Sequence, residues 1–379
     1  MKILIDASVC SKGGGVQVAL SLINNIILDS EFEVIFVSSP QIDSQLTDEQ
    51  KSKIKYYYSE INENIFGKRR QGKRLKSIEE KHNPDLVFVV FGPSYWRPRA
   101  KTLQGFALPL MVYPKTRDRV YKNNKVLFFY QKLLNSFKAK LVRQNSDYIV
   151  VETSAFKQRV HDCLGIDLNK IFVVENSFNS NFLTSSNAIK KQSENINIFI
   201  PTAYYPHKNL EILVDTAVAL LEKKKNNIKF NFLIDEANDA WKVIISDAKS
   251  KGVDHYFYTS GPVKNSKMVE LYSNTDFVLL PTLAEASTAV YPESFISQKV
   301  LLTSKVDFAI ELCGDAAVYF DPYDASDIAE KIISTIDNPV LQQELIEKGL
   351  MQIQKSYLTP EEKWFKQKDL ILRLVNESF

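Results

Sequence analysis

At 379 residues with 45% hydrophobic side chains, the chain is long enough to fill two cores. No apolar run approaches the ~20 residues of a membrane-crossing helix, and Met1–Asp6 reads as a strand rather than a leader, so a cytoplasmic location is expected. Cys10, Cys163 and Cys313 are odd in number and without metal spacing, which argues against a disulfide framework or a zinc site. The net charge of +3 hides an asymmetry: residues 1–190 hold 28 Lys and Arg against 18 Asp and Glu, and residues 66–143 alone hold 19 against 4. The basic half is expected to face something anionic.

In chain order, Ile3–Asp6 predicts a strand that runs into Gly13, Gly14 and Gly15 and then a helix with apolar Val18, Leu22, Ile26 and Ile27. Three glycines allow close backbone approach to a ligand and leave N–H groups free at a helix start, although a plain tight turn reads the same way. Glu33–Ser38 and Pro84–Phe91 predict strands, and Lys68–Lys76 between them is a run of like charge that is either a solvated helix face or a binding surface. Phe91–Arg99 and Gln104–Pro109 predict loops. A sugar could stack there on Tyr95 or Trp96 beside Arg97, or the rings could simply pack the loop down. Lys122–Arg143 predicts a long helix in which Val126, Phe129, Leu133, Phe137 and Leu141 form a stripe among Lys125, Lys132, Lys138, Lys140 and Arg143. Such a helix either lies on an anionic membrane or covers a sheet.

Ser180–Asn195 is polar and turn-rich, which puts a boundary near 185–195 and divides the chain into domains 1–190 and 191–359. Beyond it, Ile196–Ile200, Lys229–Ile234, His255–Thr259 and Phe277–Leu280 predict strands alternating with helices at the spacing of a parallel sheet. The turn Pro201–Asn209 carries His207 and Lys208. The run Phe277–Leu280 delivers Glu285 and Glu293 around a turn of Ser287, Thr288, Ala289 and Val290, with Pro292 expected at the first helical position. A helix starting at the carboxyl end of a parallel strand is where open α/β sheets bind ligands, and its free N–H groups attract phosphate. Glu293 would repel phosphate, so a neutral diol such as ribose suits it, and Glu285 could hold the hydroxyls of a second ring. Solvated caps are the plainer reading of the same pair. Pro360–Val375 predicts a last helix with apolar Trp364, Phe365, Leu372 and Val375.

The spacing of Glu285 and Glu293, Pro281-Thr282 before it, and Val300–Ser304 and Gly314–Pro322 after it together resemble the nucleotide-sugar site of retaining glycosyltransferases of the glycogen-synthase-like group 1 family. Pro206–Asn209 resembles the family segment whose lysine binds the donor diphosphate. Tyr148–Ser154 resembles the strand closing the N-terminal half, and Lys170–Ser177 the segment leading to the linker. The resemblance covers 196–335 almost continuously and the first half more loosely. It implies a GT-B fold: two Rossmann-like parallel-sheet domains facing a cleft, with a C-terminal helix, 360–379, crossing back onto the first.

That resemblance implies Glu293 on the nucleotide ribose, Glu285 on the donor sugar, Lys208 on the diphosphate with His207 beside it, and the glycine loop near the donor phosphates and acceptor. The implied reaction is transfer with retention from a nucleotide diphosphate sugar to a hydroxyl, without metal or cofactor, the leaving diphosphate helping to deprotonate the acceptor. No Asp-x-Asp stands at a strand end to coordinate a metal. The acceptor implied is a lipid-linked saccharide of a bacterial surface polysaccharide, O-antigen or capsule; the basic charge of residues 66–143 adds the expectation of an anionic membrane surface on the cytoplasmic side, and no nucleic acid is expected. Three departures stand out. Ala203 occupies a position where the family commonly has Arg, leaving His207, Lys264 or a first-half Arg to replace it. The motif interior Ala286–Val290 lacks the usual glycines. None of His82, His161, His207 and His255 follows the expected first-half strand, so a loop at Gly92 or Gly105 would have to supply that sugar contact. A GT-B epimerase or phosphorylase and a non-catalytic nucleotide-sugar-binding protein stay open.

Overall fold

Short apolar runs alternating with helices build two parallel sheets in the computed structural model, which describes residues 1–11, 13–59, 65–178, 181–184 and 194–376. Two units result, one of Met1–Pro114, Tyr121–Glu175 and Pro360–Phe379, the other of Lys115–Val120 and Asn176–Thr359. The division in the chain therefore falls at Glu175–Asn176. Asn176 is already tied to the second unit, donating from Nδ2 to Ser287 Oγ at 3.1 Å. The turn-rich segment expected to hold the boundary lies mostly outside the described residues, as do the side chains of Lys68 and Arg69.

In the first unit, β1 (Lys2–Asp6), β2 (Glu33–Ser38), β3 (Tyr56–Ser59), β4 (Leu86–Val89), β5 (Lys101–Gly105), β6 (Tyr148–Val151) and β7 (Ile171–Val173) pair in the order β3-β2-β1-β4-β5-β6-β7. Side chains alternate between the faces: Ile3, Ile5, Phe36 and Phe88 point one way, Leu4, Ile35, Val37, Val87 and Val89 the other. Both faces are buried, as a parallel sheet requires. The helix Pro360–Asn376 covers the first face with Trp364, Leu370, Ile371 and Leu374. Phe365, one of the apolar residues named from the sequence, is 64% exposed. Lys363 pairs with Glu152 at 2.8 Å and Lys368 with Asp29 at 2.7 Å, so the chain's last helix is held to this unit by charge as well as by packing.

Two strands here depart from the sequence reading. Gln104 and Gly105, expected in a loop, end β5, and β3 is made of the consecutive tyrosines Tyr56, Tyr57 and Tyr58. Gly105 is where it is because β4 and β5 approach closely: a Cβ there would sit 2.0 Å from the Val90 carbonyl oxygen.

The second unit pairs β8 (Ile196–Ile200), β9 (Ile228–Phe232), β10 (Phe257–Thr259), β11 (Phe277–Leu280), β12 (Val300–Ser304) and β13 (Ala317–Phe320) in the order β10-β9-β8-β11-β12-β13. In both sheets the strand order reverses once, between β1 and β4 and between β8 and β11. Connections diverge at that point, and a crevice opens at the carboxyl ends of the two central strands.

Candidate active site

The turns after β8 and β11 are the ones that flank the second unit's reversal. Each delivers one charged side chain. After β8, Pro206–Lys208 forms a single 3-10 turn closed by Asn209 in the left-handed region at φ 57°. After β11, the Leu283 N–H donates to the His207 carbonyl at 2.8 Å, locking the two turns together. The result is an ion pair between Lys208 Nζ and Glu285 Oε1, with side chains only 10% and 9% exposed. Thr282 Oγ1 donates to the same carboxylate oxygen at 2.8 Å. Removing two charges from water this way is stabilised only by their mutual contact and such added bonds. Lys208 and Glu285, assigned separate tasks from sequence, thus hold each other.

His207 stacks on Tyr205 with ring centroids 5.7 Å apart, and burial pushes its imidazole below the usual range. It is therefore neutral near pH 7 and gives no standing positive charge in place of the arginine missing at Ala203. Lys264 is exposed at the start of the helix Asn265–Ser273.

Glu293 lies on the short helix Val290–Ile296, which begins two residues earlier than Pro292 requires; the proline sits in the first turn, where its missing N–H still goes unused. Glu293 Oε2 accepts from the fully buried Tyr272 hydroxyl at 3.2 Å. Burial raises its carboxyl to about 7, against the smaller opposing effect of that hydrogen bond. The turn before the helix is built from small side chains. Thr288 Oγ1 accepts from the Val290 N–H at 3.2 Å, Ser287 Oγ accepts from Asn176, and Ala289 is exposed. Bulkier than a glycine turn, it is stabilised by its own hydroxyl.

At the first unit's reversal, the turn after β1 holds Gly13 at φ 54°, a conformation suited to glycine, and the helix Gly14–Ile26 starts without a side-chain cap. Around Gly14 a Cβ would meet nothing within 4 Å, so its backbone faces open space, whereas Gly15 packs near Phe91 and Cys10. The loop after β4 is closed down. Trp96 is 7% exposed and its indole N–H donates to Asp6 Oδ2 at 3.0 Å, so it offers no face to a sugar. Of the two expected stacking rings only Tyr95 is partly exposed, and Arg97 pairs with Asp147 at 2.5 Å. Gly92 and Gly105, the loops expected to replace the missing histidine, are packing positions: a Cβ at Gly92 would overlap the Gln104 side chain at 2.3 Å. His82 bonds Tyr58 at 2.7 Å and His161 the Ile166 carbonyl at 2.8 Å, which makes both structural. The Asp6–Trp96 bond joins residues far apart in the chain, and no local pattern announces it.

Two parallel sheets, each with its crevice at a strand-order reversal, define the GT-B class, and comparison with solved structures agrees. A glycosyltransferase from Rickettsia africae superposes with a TM-score of 0.74 at 16% identity, covering 100% of this chain and 99% of that one. HepE from Anabaena in complex with UDP and glucose gives 0.72 at 13% identity over 98% and 100%. The lipopolysaccharide outer core galactosyltransferase WaaB gives 0.65 at 13% identity over 98% and 100%. Residues 182–351, nearly the whole second unit, match the family model described as Glycosyl transferases group 1. No curated protein matches it by sequence.

Proposed function

We propose that the protein is a retaining glycosyltransferase that moves a sugar from a nucleotide diphosphate sugar to a hydroxyl of a lipid-linked saccharide. The observation that carries this reading is the convergence of Lys208 and Glu285 at the second sheet's reversal, with Glu293 on the next helix. In this reading the Glu293 carboxylate accepts from the ribose hydroxyls. The diphosphate takes Lys208 from Glu285, and Glu285 is released to accept from hydroxyls of the donor sugar. Lys208 then stabilises the leaving diphosphate inside a site drier than water, where a fixed cation acts most strongly. The leaving oxygen receives the acceptor proton on the face where the new bond forms, which retains the anomeric configuration. No metal ion is assigned in this chemistry; the lysine is given the role of balancing phosphate charge.

The acceptor is assigned to the first unit, whose glycine turn has open space where a side chain at Gly14 would stand. Its excess of Lys and Arg supports work at an anionic membrane surface on the cytoplasmic side, as does a lipid-linked O-antigen or capsule intermediate. WaaB, a lipopolysaccharide enzyme by name, supports that acceptor class, and UDP in HepE makes UDP-sugars the first donors to try.

The test is titration calorimetry with UDP-, GDP-, ADP- and dTDP-sugars, followed by turnover on lipid-linked acceptors with EDTA present. One donor should bind, Glu293→Ala should weaken it by about 1.5–3 kcal/mol, and turnover should survive EDTA with retained configuration. Binding of no donor would overturn the reading. Activity restored only by a divalent metal would overturn its metal-free chemistry.

A further inference from the structure

The helix Lys125–Asn145, 21 residues and about 30 Å long, buries only Asn135, Val142 and Asn145. The stripe read from the sequence as either sheet-covering or membrane-facing points outward. Val126 is 82% exposed, Phe129 62%, Leu133 72% and Phe137 53%, joined by Tyr130 at 56%. Their spacing puts all five within an arc of about 100° that runs about 17 Å along the helix. Lys125, Lys132 and Arg143 are exposed along one flank of that arc and Lys140 lies within it, one turn beyond the apolar residues, and the helix contains no Asp or Glu. Among the described residues none of Lys125, Lys132, Lys138 and Lys140 has a carboxylate partner. Large apolar side chains left in water beside unneutralised lysines are doubly unfavourable for a free surface.

We propose that this side of the helix is a membrane-docking surface, seated in the headgroup region of an anionic bilayer with Val126, Phe129, Tyr130, Leu133 and Phe137 toward the acyl chains. A bilayer supplies apolar interior and anionic rim together, the pairing this helix face lacks. A second copy of the chain fits worse, because an isologous contact would set this basic helix against itself. The inference deepens the membrane clause of the proposed function and is independent of its donor chemistry.

The test uses the full chain and sedimentation with vesicles of phosphatidylglycerol and phosphatidylcholine, or of phosphatidylcholine alone. Salt is set at about 0.1 M and about 1 M, where the Debye length falls from about 10 to about 3 Å. Binding to the anionic vesicles is expected at low salt, with a measurable remainder at high salt from the apolar stripe. The triple variant Phe129→Ser, Leu133→Ser, Phe137→Ser should lose about tenfold or more of the partition at both salts, with circular dichroism and nucleotide-sugar binding unchanged. Lys132→Gln with Lys140→Gln should lose only the salt-dependent part. Parent protein that ignores anionic vesicles, or a triple variant that binds them as well as the parent, would overturn the proposal. So would a parent dimer that the triple variant dissociates in sedimentation velocity. Donor binding is read separately, so loss of vesicle binding leaves the transfer reading standing, and the reverse.

Discussion

The carboxyl ends of the two sheets are made from the same strand, turn and helix unit, yet they treat charge in opposite ways. At the second sheet's reversal, a lysine and a glutamate from different turns are drawn together, nearly buried from solvent. At the first, the strand-end carboxylate Asp6 is closed off by Ser8 and Trp96, while the neighbouring turn has open space at Gly14. Under the proposed function, the second edge offers Lys208 to a diphosphate and Glu293 to a diol, and the first offers open space at Gly14 to a saccharide. One scaffold repeated with different turn residues thus yields two complementary surfaces.

The largest effect should come from breaking the charged edge. Glu285→Ala leaves Lys208 buried without its partner, which should cost about 3–5 kcal/mol in urea unfolding, along with turnover. Replacing both residues together, Lys208→Met with Glu285→Leu, should recover much of that stability and none of the activity, because the pair serves chemistry rather than folding. Nucleoside diphosphate should stabilise Glu285→Ala more than the parent, since the diphosphate supplies the missing anion. A cost below about 1 kcal/mol for Glu285→Ala would mean the pair is not closed in solution.

Glu293 provides a smaller, pH-dependent version of the same contrast. Between the ordinary 4.5 and about 7, the folded chain keeps a proton that the unfolded chain has released. Stability from this group therefore falls as pH rises across that window and levels off above it. Glu293→Gln should remove that slope and exceed the parent above pH 7 by about 3 kcal/mol at most, less the altered bond to Tyr272. Ribose hydroxyls favour the ionised carboxylate, so parent affinity for a nucleotide sugar should rise with pH up to about 7 and then flatten, while the Gln variant stays level. Calorimetry from about pH 5.5 to 8 decides it; an unchanging parent affinity would place the ribose elsewhere.

The charged edge was legible in the sequence because strand-to-helix turns bring polar residues to the crevice and because the segments around Lys208, Glu285 and Glu293 resemble a known family; position alone left the glutamates readable as solvated caps. What could not be read was whom they hold: the Lys208–Glu285 contact depends on how two turns lock, through the Leu283 N–H and the His207 carbonyl. The first sheet was harder. In β5, Thr102 and Gln104 are buried polar residues that hide the strand's apolar pattern; Thr102 Oγ1 donates to the Ala100 carbonyl and Gln104 Oε1 accepts from the Ser94 N–H. Three tyrosines in a row gave β3 no alternation. The basic helix shows the opposite failure: its stripe was plain, and which way it faced was not, because an amphipathic pattern is the same over a sheet or over lipid.

The smallest effect on stability, and the sharpest on the comparison, belongs to Gly14 at the first edge, with Gly105 as its contrast. Gly105 is a packing glycine. Gly105→Ala drives a methyl into the Val90 carbonyl and should cost roughly 1–3 kcal/mol or more, with activity falling only as the fold does. Gly14 stands at a helix start outside the left-handed region with open space around it, so Gly14→Ala should be neutral or stabilising by about 0.5–1 kcal/mol. If the bare backbone exists to let a saccharide approach, the added methyl occupies the approach path instead. The acceptor KM should then rise about tenfold while donor affinity stays constant, and thermal unfolding and turnover measured on the same preparation separate the two. Should Gly14→Ala leave the acceptor KM unchanged, the open turn is a fold feature alone and the acceptor must be held elsewhere on the first unit.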